Sequence, residues 1–149
     1  MKRIESQVNT GSPDFQANVA HNRKLAEELR ERQRQARHVR PERDLSRLRK
    51  QNKMLVRERL DQLLDPGTPF LEFSTLAANM EYDGEVPGAA VVTGIGIVAG
   101  REVVINAGDA SVKGGAWYPL GIKKTVRAMA WLRRCILRRG RPSIATRCC

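Results

Sequence analysis

The residues best suited to chemistry lie in one loop of mostly small side chains, residues 106–119. Its centre reads Lys113-Gly114-Gly115, which places one cation beside two adjacent glycines. Glycine adopts backbone conformations that other residues avoid, and it lets the chain approach a ligand closely. Two interpretations follow: the loop presents backbone groups to a ligand, or the glycines only permit a sharp turn into the helix predicted to follow.

Other residue types that commonly carry chemistry are poorly placed for it. His21 and His38 lie in polar helical surroundings without cysteine or acidic partners at ligand spacing, so we expect surface histidines and no metal site. No Gly-x-x-x-x-Gly-Lys-Ser/Thr motif is present, which argues against a P-loop for ATP. Trp117 and Tyr118 are interpreted as packing residues rather than as platforms for an adenine ring.

Charge is unevenly distributed along the 149 residues, whose formal net charge is +11. Residues 1–64 hold 16 basic and 9 acidic groups, which gives +7. Residues 65–122 hold 2 basic and 7 acidic groups (−5), and residues 123–149 hold 9 basic and no acidic groups (+9). Two basic ends favour anionic partners such as phosphate groups, nucleic acid or a membrane surface. Hydrophobic and charged shares of 41% and 29% are typical of one globular domain.

The cysteines and the N-terminus indicate the compartment. All three cysteines fall in the last 15 residues, so no disulfide framework spans the chain. No apolar run reaches the ~18–20 residues that a membrane span needs. The first residues lack an apolar signal segment, and Glu5 and Asp14 argue against a transit peptide. We expect the cytoplasm of a bacterium, or the mitochondrial matrix of a eukaryote.

The N-terminal part is predicted to be helical. Ser12 and Pro13 suit the N-cap and first position of a helix that continues from Phe15 to about Arg37. Its apolar stripe is thin, so the helix must lie on something else. After a polar stretch interrupted by Pro41, a short amphipathic helix is predicted from apolar residues at i, i+4, i+7 and i+8, namely Val56, Leu60, Leu63 and Leu64.

Past a turn at residues 65–67 the pattern becomes that of strands. A strand is predicted at residues 70–73 and a loop at 82–88, followed by a hairpin. The hairpin consists of a buried strand at 89–98, a tight turn at 99–102 and a partner strand at 103–105. Gly94 and Gly96 indicate a bulge or a close backbone approach. A helix is predicted from about Leu120, with Lys123, Lys124 and Arg127 in it.

Residues 130–149 differ in composition from the rest, with six arginines, no lysine and no acidic residue. One interpretation is an amphipathic basic helix that ends at Gly140. The other is out-of-frame translation of a GC-rich gene, which commonly yields arginine- and cysteine-rich tails.

Three stretches, in this order and spacing, resemble the carboxyltransferase (beta) subunits of acyl-CoA carboxylases. They are Leu55–Glu72, Tyr82–Gly88 with Val92–Gly96, and Asp109–Leu120 with Lys123-Lys124. The resemblance covers about residues 5–129 and is nearest the methylcrotonoyl-CoA type, with the geranyl-CoA and propionyl-CoA types left open. Two departures stand out: Gly108 replaces the family's usual asparagine, and the arginine-rich tail replaces a later strand and a Gly-Gly-Ala loop.

The resemblance implies an α/β fold of the crotonase (ClpP-like) class. It implies an incomplete N-terminal carboxyltransferase domain at residues 54–129, preceded by an extension of amphipathic helices at 1–53 and followed by the basic tail at 130–149. The implied reaction moves a carboxyl group from biotin to an acyl-CoA. The biotin is carried by a biotin carboxylase/biotin carrier partner subunit, the full-length family forms homo-oligomers, and no membrane or metal takes part.

The resemblance also implies a site. Backbone groups of Val112, Lys113, Gly114 and Gly115 are expected to contact acyl-CoA, and such preorganised donors stabilise a thioester enolate oxygen by roughly 3–4 kcal/mol each. No catalytic residue is expected in this fragment, which should be inactive alone. Arg57 and Arg59 face either CoA phosphates or solvent, and solvent is the preferred interpretation.

Two other functions compete with the enzyme subunit. A basic nucleic-acid-binding protein would account for the charge, although no nucleic-acid-binding motif accompanies it. Removing residues 130–149 deletes six arginines and leaves +5, so binding that disappears with the tail belongs to the tail. A regulatory fragment that caps the partner surface of a full enzyme is the third hypothesis, and exposed sheet edges argue for aggregation instead.

Overall fold

The computed structural model describes residue 6 and residues 8–139, with side chains described as far as residue 130. Four α-helices and three strands follow one another along this part of the chain. In order they are α1 (Pro13–His38), α2 (Glu42–Lys50), α3 (Val56–Leu63), β1 (Leu71–Phe73), β2 (Val91–Val98), β3 (Arg101–Gly108) and α4 (Pro119–Arg139). Single 3₁₀ turns at Tyr82–Gly84, Pro87–Ala90 and Lys113–Gly115 fill the connections.

The predicted N-terminal helix is confirmed as α1. The Ser12 hydroxyl accepts a hydrogen bond from the Phe15 N–H at 3.2 Å, as an N-cap does, and Pro13 takes the first position. No residue of α1 is buried, in keeping with its thin apolar stripe.

Two short helices connect α1 to the sheet. Helix α2 was not predicted, and it buries Leu48 to 3% exposure. Helix α3 confirms the predicted amphipathic segment, with Val56 and Leu60 buried, while Leu63 remains 48% exposed.

The sheet is antiparallel throughout, in the order β1-β2-β3. The predicted hairpin is confirmed, but its turn is tighter than expected. Val98 pairs with Arg101, so only Ala99 and Gly100 form the turn, with φ of 51° and 72°. Two left-handed residues in succession give the turn a twist that matches the strands. The partner strand therefore begins at Arg101 and extends to Gly108, beyond the predicted 103–105.

The main core lies between α3 and the sheet. Buried residues from both elements form it, with partly buried side chains of the preceding and following segments around them: Val56, Leu60, Val92 and Ile105, with Leu64, Phe70, Val103 and Ala107. The glycines of β2 allow the side chains of Phe70 and Leu64 to approach the strand closely. A Cβ on Gly94 would lie 2.4 Å from the Phe70 ring, and one on Gly96 would lie 2.3 Å from Leu64. Since pairing with β3 is continuous at both positions, the glycines mark a close approach and not a bulge.

A smaller core lies under the loop that follows β3. Val86, Ala90 and Val112 are buried there, with the rings of Tyr82 and Tyr118 packed on them, 5.0 Å apart between centroids. The packing role predicted for Tyr118 is thus seen, but Trp117 is 66% exposed and does not share it.

Candidate functional site

The loop singled out in the sequence connects β3 to α4. Residues 106–108 belong to β3, so the loop is shorter than predicted. Its middle residues, Lys113, Gly114 and Gly115, all have left-handed backbones, with φ of 46°, 71° and 85°. Glycine adopts this conformation at little cost, whereas Lys113 is held there by its surroundings.

Two of the backbone N–H groups at the centre of this loop are available to a ligand. The Val112 N–H donates to the Asp109 carbonyl at 3.1 Å, and the Gly115 N–H donates to the Val112 carbonyl at 2.9 Å. The N–H groups of Lys113 and Gly114 donate to no residue in the described part of the chain. Of the four residues predicted to contact acyl-CoA, these two therefore offer backbone donors.

The Lys113 side chain pairs with Glu85, which belongs to the loop at residues 82–88. The hydrogen bond to Glu85 raises the pKa of Lys113, so this ammonium group stays charged at any physiological pH. Both side chains are largely exposed, and the contact therefore holds the two loops together only weakly.

The start of the loop is held by a buried ion pair. The Arg40 guanidinium donates to Asp109 Oδ2 through Nη2 at 2.9 Å and Nε at 3.2 Å, and its Nε also lies 3.1 Å from the Ser111 hydroxyl. Both side chains are under 10% exposed. The other oxygen of Asp109 accepts hydrogen bonds from the Ser111 N–H, at 3.0 Å, and from its hydroxyl.

A cavity of about 470 Å³ lies beside the loop. This volume is in the range of small-molecule sites. It is lined by residues from three segments: Val39, Arg40, Pro41 and Asp44; Asp83, Gly84, Glu85 and Pro87; and Ser111, Val112 and Lys113. The candidate loop thus forms one wall, and the connection between α1 and α2, with the first turn of α2, forms another.

Lys124 of α4 is a second lysine close to these loops, and its side chain is buried. Its ammonium group donates to the Val91 carbonyl at 2.6 Å and to the Gly88 carbonyl at 3.0 Å. Burial lowers the pKa of Lys124 to about 8. It therefore tethers α4 to the turn that leads into β2.

Arg57 faces neither the cavity nor open solvent. It forms two hydrogen bonds to the buried carboxylate of Glu72, at 3.0 and 3.1 Å, and one to the Arg37 carbonyl. Arg37 Nε lies 3.0 Å from the same carboxylate, in an orientation that forms an ion pair without a hydrogen bond. Arg59 is exposed, as the preferred interpretation had it.

Comparison with known proteins identifies the family. Residues 47–145 match the family model described as "Carboxyl transferase domain", which is more than half of the chain. The chain belongs to the carboxyl transferase domain family. The resemblance stated from the sequence is confirmed by this match, and an enzyme family is thereby assigned.

Curated relatives of this carboxyl transferase chain share its sequence over a limited length. It is 59% identical over 76 residues to the biotin-dependent 3-methylcrotonyl-coenzyme A carboxylase beta1 subunit of Mycobacterium tuberculosis, covering 51% of this chain and 14% of the relative. It is 47% identical over 93 residues to the mitochondrial methylcrotonoyl-CoA carboxylase beta chain of Arabidopsis thaliana, covering 62% of this chain and 16% of that relative. The chain spans about one seventh of the length of these relatives.

Solved structures confirm the fold of the carboxyl transferase chain. The beta subunit of Pseudomonas aeruginosa geranyl-CoA carboxylase matches 84% of this chain and 23% of its own length, with TM-score 0.58 and 34% identity. A transcarboxylase 12S structure matches 71% of this chain and 21% of its own length, with TM-score 0.63 and 31% identity. The predicted α/β fold of the crotonase class is therefore confirmed, as a partial fold.

Several residues that organise the site of this carboxyl transferase chain were not predicted. They are Arg40, Asp109, Glu85 and Lys124, which act through contacts between distant parts of the chain. Asp109, Glu85 and Lys124 lie in the stretches that carry the resemblance, but nothing in those stretches pointed to their partners, such as an arginine 69 positions from Asp109. Among the described residues, no group of three or more histidine, cysteine or acidic residues could hold a metal ion, and no helix could cross a membrane.

Proposed function

We propose that this chain forms the opening part of the carboxyltransferase component of a biotin-dependent acyl-CoA carboxylase, with 3-methylcrotonoyl-CoA as the substrate. The family match supports the reaction class. The relatives named as methylcrotonoyl-CoA carboxylases, at 59% and 47% identity, support the substrate. Over longer alignments the margin is smaller, at 38% identity for a third methylcrotonoyl-CoA relative against 33% for a propionyl-CoA type and 34% for the geranyl-CoA type.

The observation that carries this proposal is the loop after β3. It offers the uncommitted N–H groups of Lys113 and Gly114, and Lys113 lines a cavity of about 470 Å³. Donors fixed in place before a reaction stabilise a developing negative oxygen without reorganising. We assign these two groups to the thioester of acyl-CoA, and the Lys113 ammonium to an anionic part of the same ligand.

The remaining chemistry would come from outside this chain. Biotin, carried by a biotin carboxylase/biotin carrier partner subunit, would supply the carboxyl group, and we assign no residue of this chain to it. Homo-oligomer formation and a location in the cytoplasm or mitochondrial matrix belong to the same proposal. No catalytic residue is assigned here, because the chain spans about one seventh of these relatives.

The first experiment measures binding of the acyl-CoA. Titration of the chain with 3-methylcrotonoyl-CoA, propionyl-CoA and geranyl-CoA in a calorimeter should give the strongest binding for the first. Lys113→Met should weaken that binding about three- to tenfold, as expected for losing one charged contact. Lys123→Met, which removes the same charge from an exposed position on α4, should leave binding unchanged.

Carboxyl transfer should be absent when the chain is mixed with a biotinylated partner subunit of a methylcrotonoyl-CoA carboxylase. Turnover above the background of the partner alone would contradict the assignment of no catalytic residue. Equal binding of all three thioesters would contradict the proposed substrate. Absence of binding for all three would contradict the proposed site.

Three described arginines of the N-terminal end are held by acidic groups and are not free to bind nucleic acid. Arg32 and Arg34 of α1 pair with Glu28 and Glu31, and Arg40 is buried against Asp109. The pairs with Glu28 and Glu31 lie within residues 1–64 and leave their net charge of +7 unchanged, so the family match, and not charge, makes the enzyme subunit the preferred function.

A further inference from the structure

We propose that Arg40, in the N-terminal extension, is a positioning residue for the loop at residues 109–116. This role in acyl-CoA binding rests on the proposed function. The family match begins at residue 47, so Arg40 lies outside the matched segment. It nevertheless joins the extension to the centre of the candidate site through Asp109.

Asp109 is the point through which Arg40 acts. Its carboxylate binds Arg40 and Ser111, while its own N–H donates to the Ala90 carbonyl at 2.9 Å and its carbonyl accepts from Val112. Asp109 thereby connects the extension, the turn before β2 and the loop. Any movement of its carboxylate shifts the backbone that leads into Lys113.

Arg47 of α2 adds a second contact to the same loop. Its Nη2 donates to the Ala110 carbonyl at 3.2 Å, and its guanidinium lies 4.0 Å from where a Cβ on Gly114 would be. Arg40 and Arg47 therefore hold the loop just before its left-handed residues. Arg40 contributes more to this, because its ion pair is buried whereas the Arg47 side chain is 42% exposed.

A loop that must present two N–H groups in left-handed residues needs such support. Lys113 has a φ of 46°, which a non-glycine residue adopts only when its surroundings hold it there. Released from Arg40, residues 109–116 would sample other conformations, and binding of a thioester would have to order them again. Arg40 thus acts on the ligand indirectly, through the conformation of the loop.

The experiment measures amide hydrogen exchange along the full 149-residue chain. In Arg40→Met, we expect exchange in peptides covering residues 109–116 to accelerate about tenfold or more, since the loop loses its buried anchor. Exchange in β2 should change much less. The control is Arg43→Met, which removes the same charge from an exposed position three residues away and should leave the loop unchanged.

A second variant serves as a control in case Arg40→Met fails to fold. Arg40→Met leaves a buried carboxylate unpaired, whereas the double variant Arg40→Met/Asp109→Leu removes both charges and can retain stability. In the double variant we expect the same fast exchange in the loop, with unfolding close to that of the wild type. Arg40→Lys, which keeps the charge without the forked contact, should be intermediate.

Binding of 3-methylcrotonoyl-CoA separates this inference from the proposed function. If the wild type binds, Arg40→Met should bind about tenfold or more weakly, because the loop is no longer preorganised, and the double variant, which also loses the Asp109–Ser111 hydrogen bonds, should bind at least as weakly. If the wild type does not bind, the proposed function fails, while hydrogen exchange still tests the positioning role. The inference would be overturned if the loop exchanged no faster in the double variant than in Arg43→Met. It would also be overturned if exchange accelerated evenly over the sheet.

Discussion

Lys124 is a buried cation whose hydrogen-bond partners are backbone carbonyls. Burial lowers its pKa to about 8 from the ordinary 10.5, with Arg57 adding slightly to this effect and Glu72 opposing it. The folded chain therefore loses this proton at a lower pH than the unfolded chain does. The cost of burying the charge is present below pH 8 and disappears as the pH rises towards 10.5.

The free energy of unfolding should consequently carry a contribution from Lys124 that rises between about pH 8 and 10.5, by at most roughly 3 kcal/mol. Urea denaturation at four pH values in this interval measures it. Lys124→Met should remove that rise, and Lys123→Met, at the exposed neighbouring position, should keep it. A rise that persists in Lys124→Met would show that another group produces it.

At the scale of elements, Asp65 connects α3 to the β2–β3 hairpin. Its two carboxylate oxygens accept the N–H groups of Ala99 and Gly100, at 2.8 and 2.7 Å, and its own N–H donates to Ile97. These hydrogen bonds satisfy both donors of a turn that contains a left-handed alanine. The hairpin is thus supported by a residue about 34 positions earlier in the chain.

Asp65→Ala should lower the free energy of unfolding by about 1.5–3 kcal/mol, as expected for hydrogen bonds to a charged group. Urea denaturation at neutral pH measures this loss. Asp61→Ala, at an exposed position on α3, removes the same charge and should cost far less. Equal effects of the two substitutions would mean that charge, and not the turn contact, stabilises this region.

The elements that sequence patterns predicted are those with a local cause. Ser12 and Pro13 begin α1, the apolar spacing of Val56 and Leu60 gives α3, and a Gly at the turn gives the hairpin. Helix α2 escaped prediction because it is short and mostly charged, so that its two leucines, Leu45 and Leu48 at i and i+3, were not taken as an apolar stripe. Its stability comes from tertiary contacts such as burial of Leu48, which no short window contains.

The site was predictable only in part for the same reason. Adjacent glycines marked the loop, and the resemblance pointed to residues 112–115. Which N–H groups are available depends on local hydrogen bonds. The N–H groups of Val112 and Gly115 donate within the loop, whereas those of Lys113 and Gly114 do not. The Arg40–Asp109 pair spans 69 positions and carries no periodic signal, so it could be found only from the fold.

At the scale of the whole molecule, contacts cross the boundary predicted between the extension at 1–53 and the domain at 54–129. Arg40 neutralises the buried Asp109, Arg37 lies against the buried Glu72, and Leu48 is 3% exposed. Arg37 and Arg40 of the extension therefore serve contacts inside the fold. The extension thus contacts β1 and the loop after β3 through these side chains.

A chain of residues 54–149 should accordingly fail to unfold cooperatively in a thermal scan followed by circular dichroism. Loss of Arg40 leaves the Asp109 carboxylate buried and unpaired, which costs about 3–5 kcal/mol, a large fraction of the 5–15 kcal/mol that holds a typical domain together. A chain of residues 9–149, which keeps the Ser12 cap and all these contacts, should unfold cooperatively, with a midpoint close to that of the full chain. If residues 54–149 alone unfold with the same midpoint, the extension is an independent unit, and the loop at 109–116 needs no support from it.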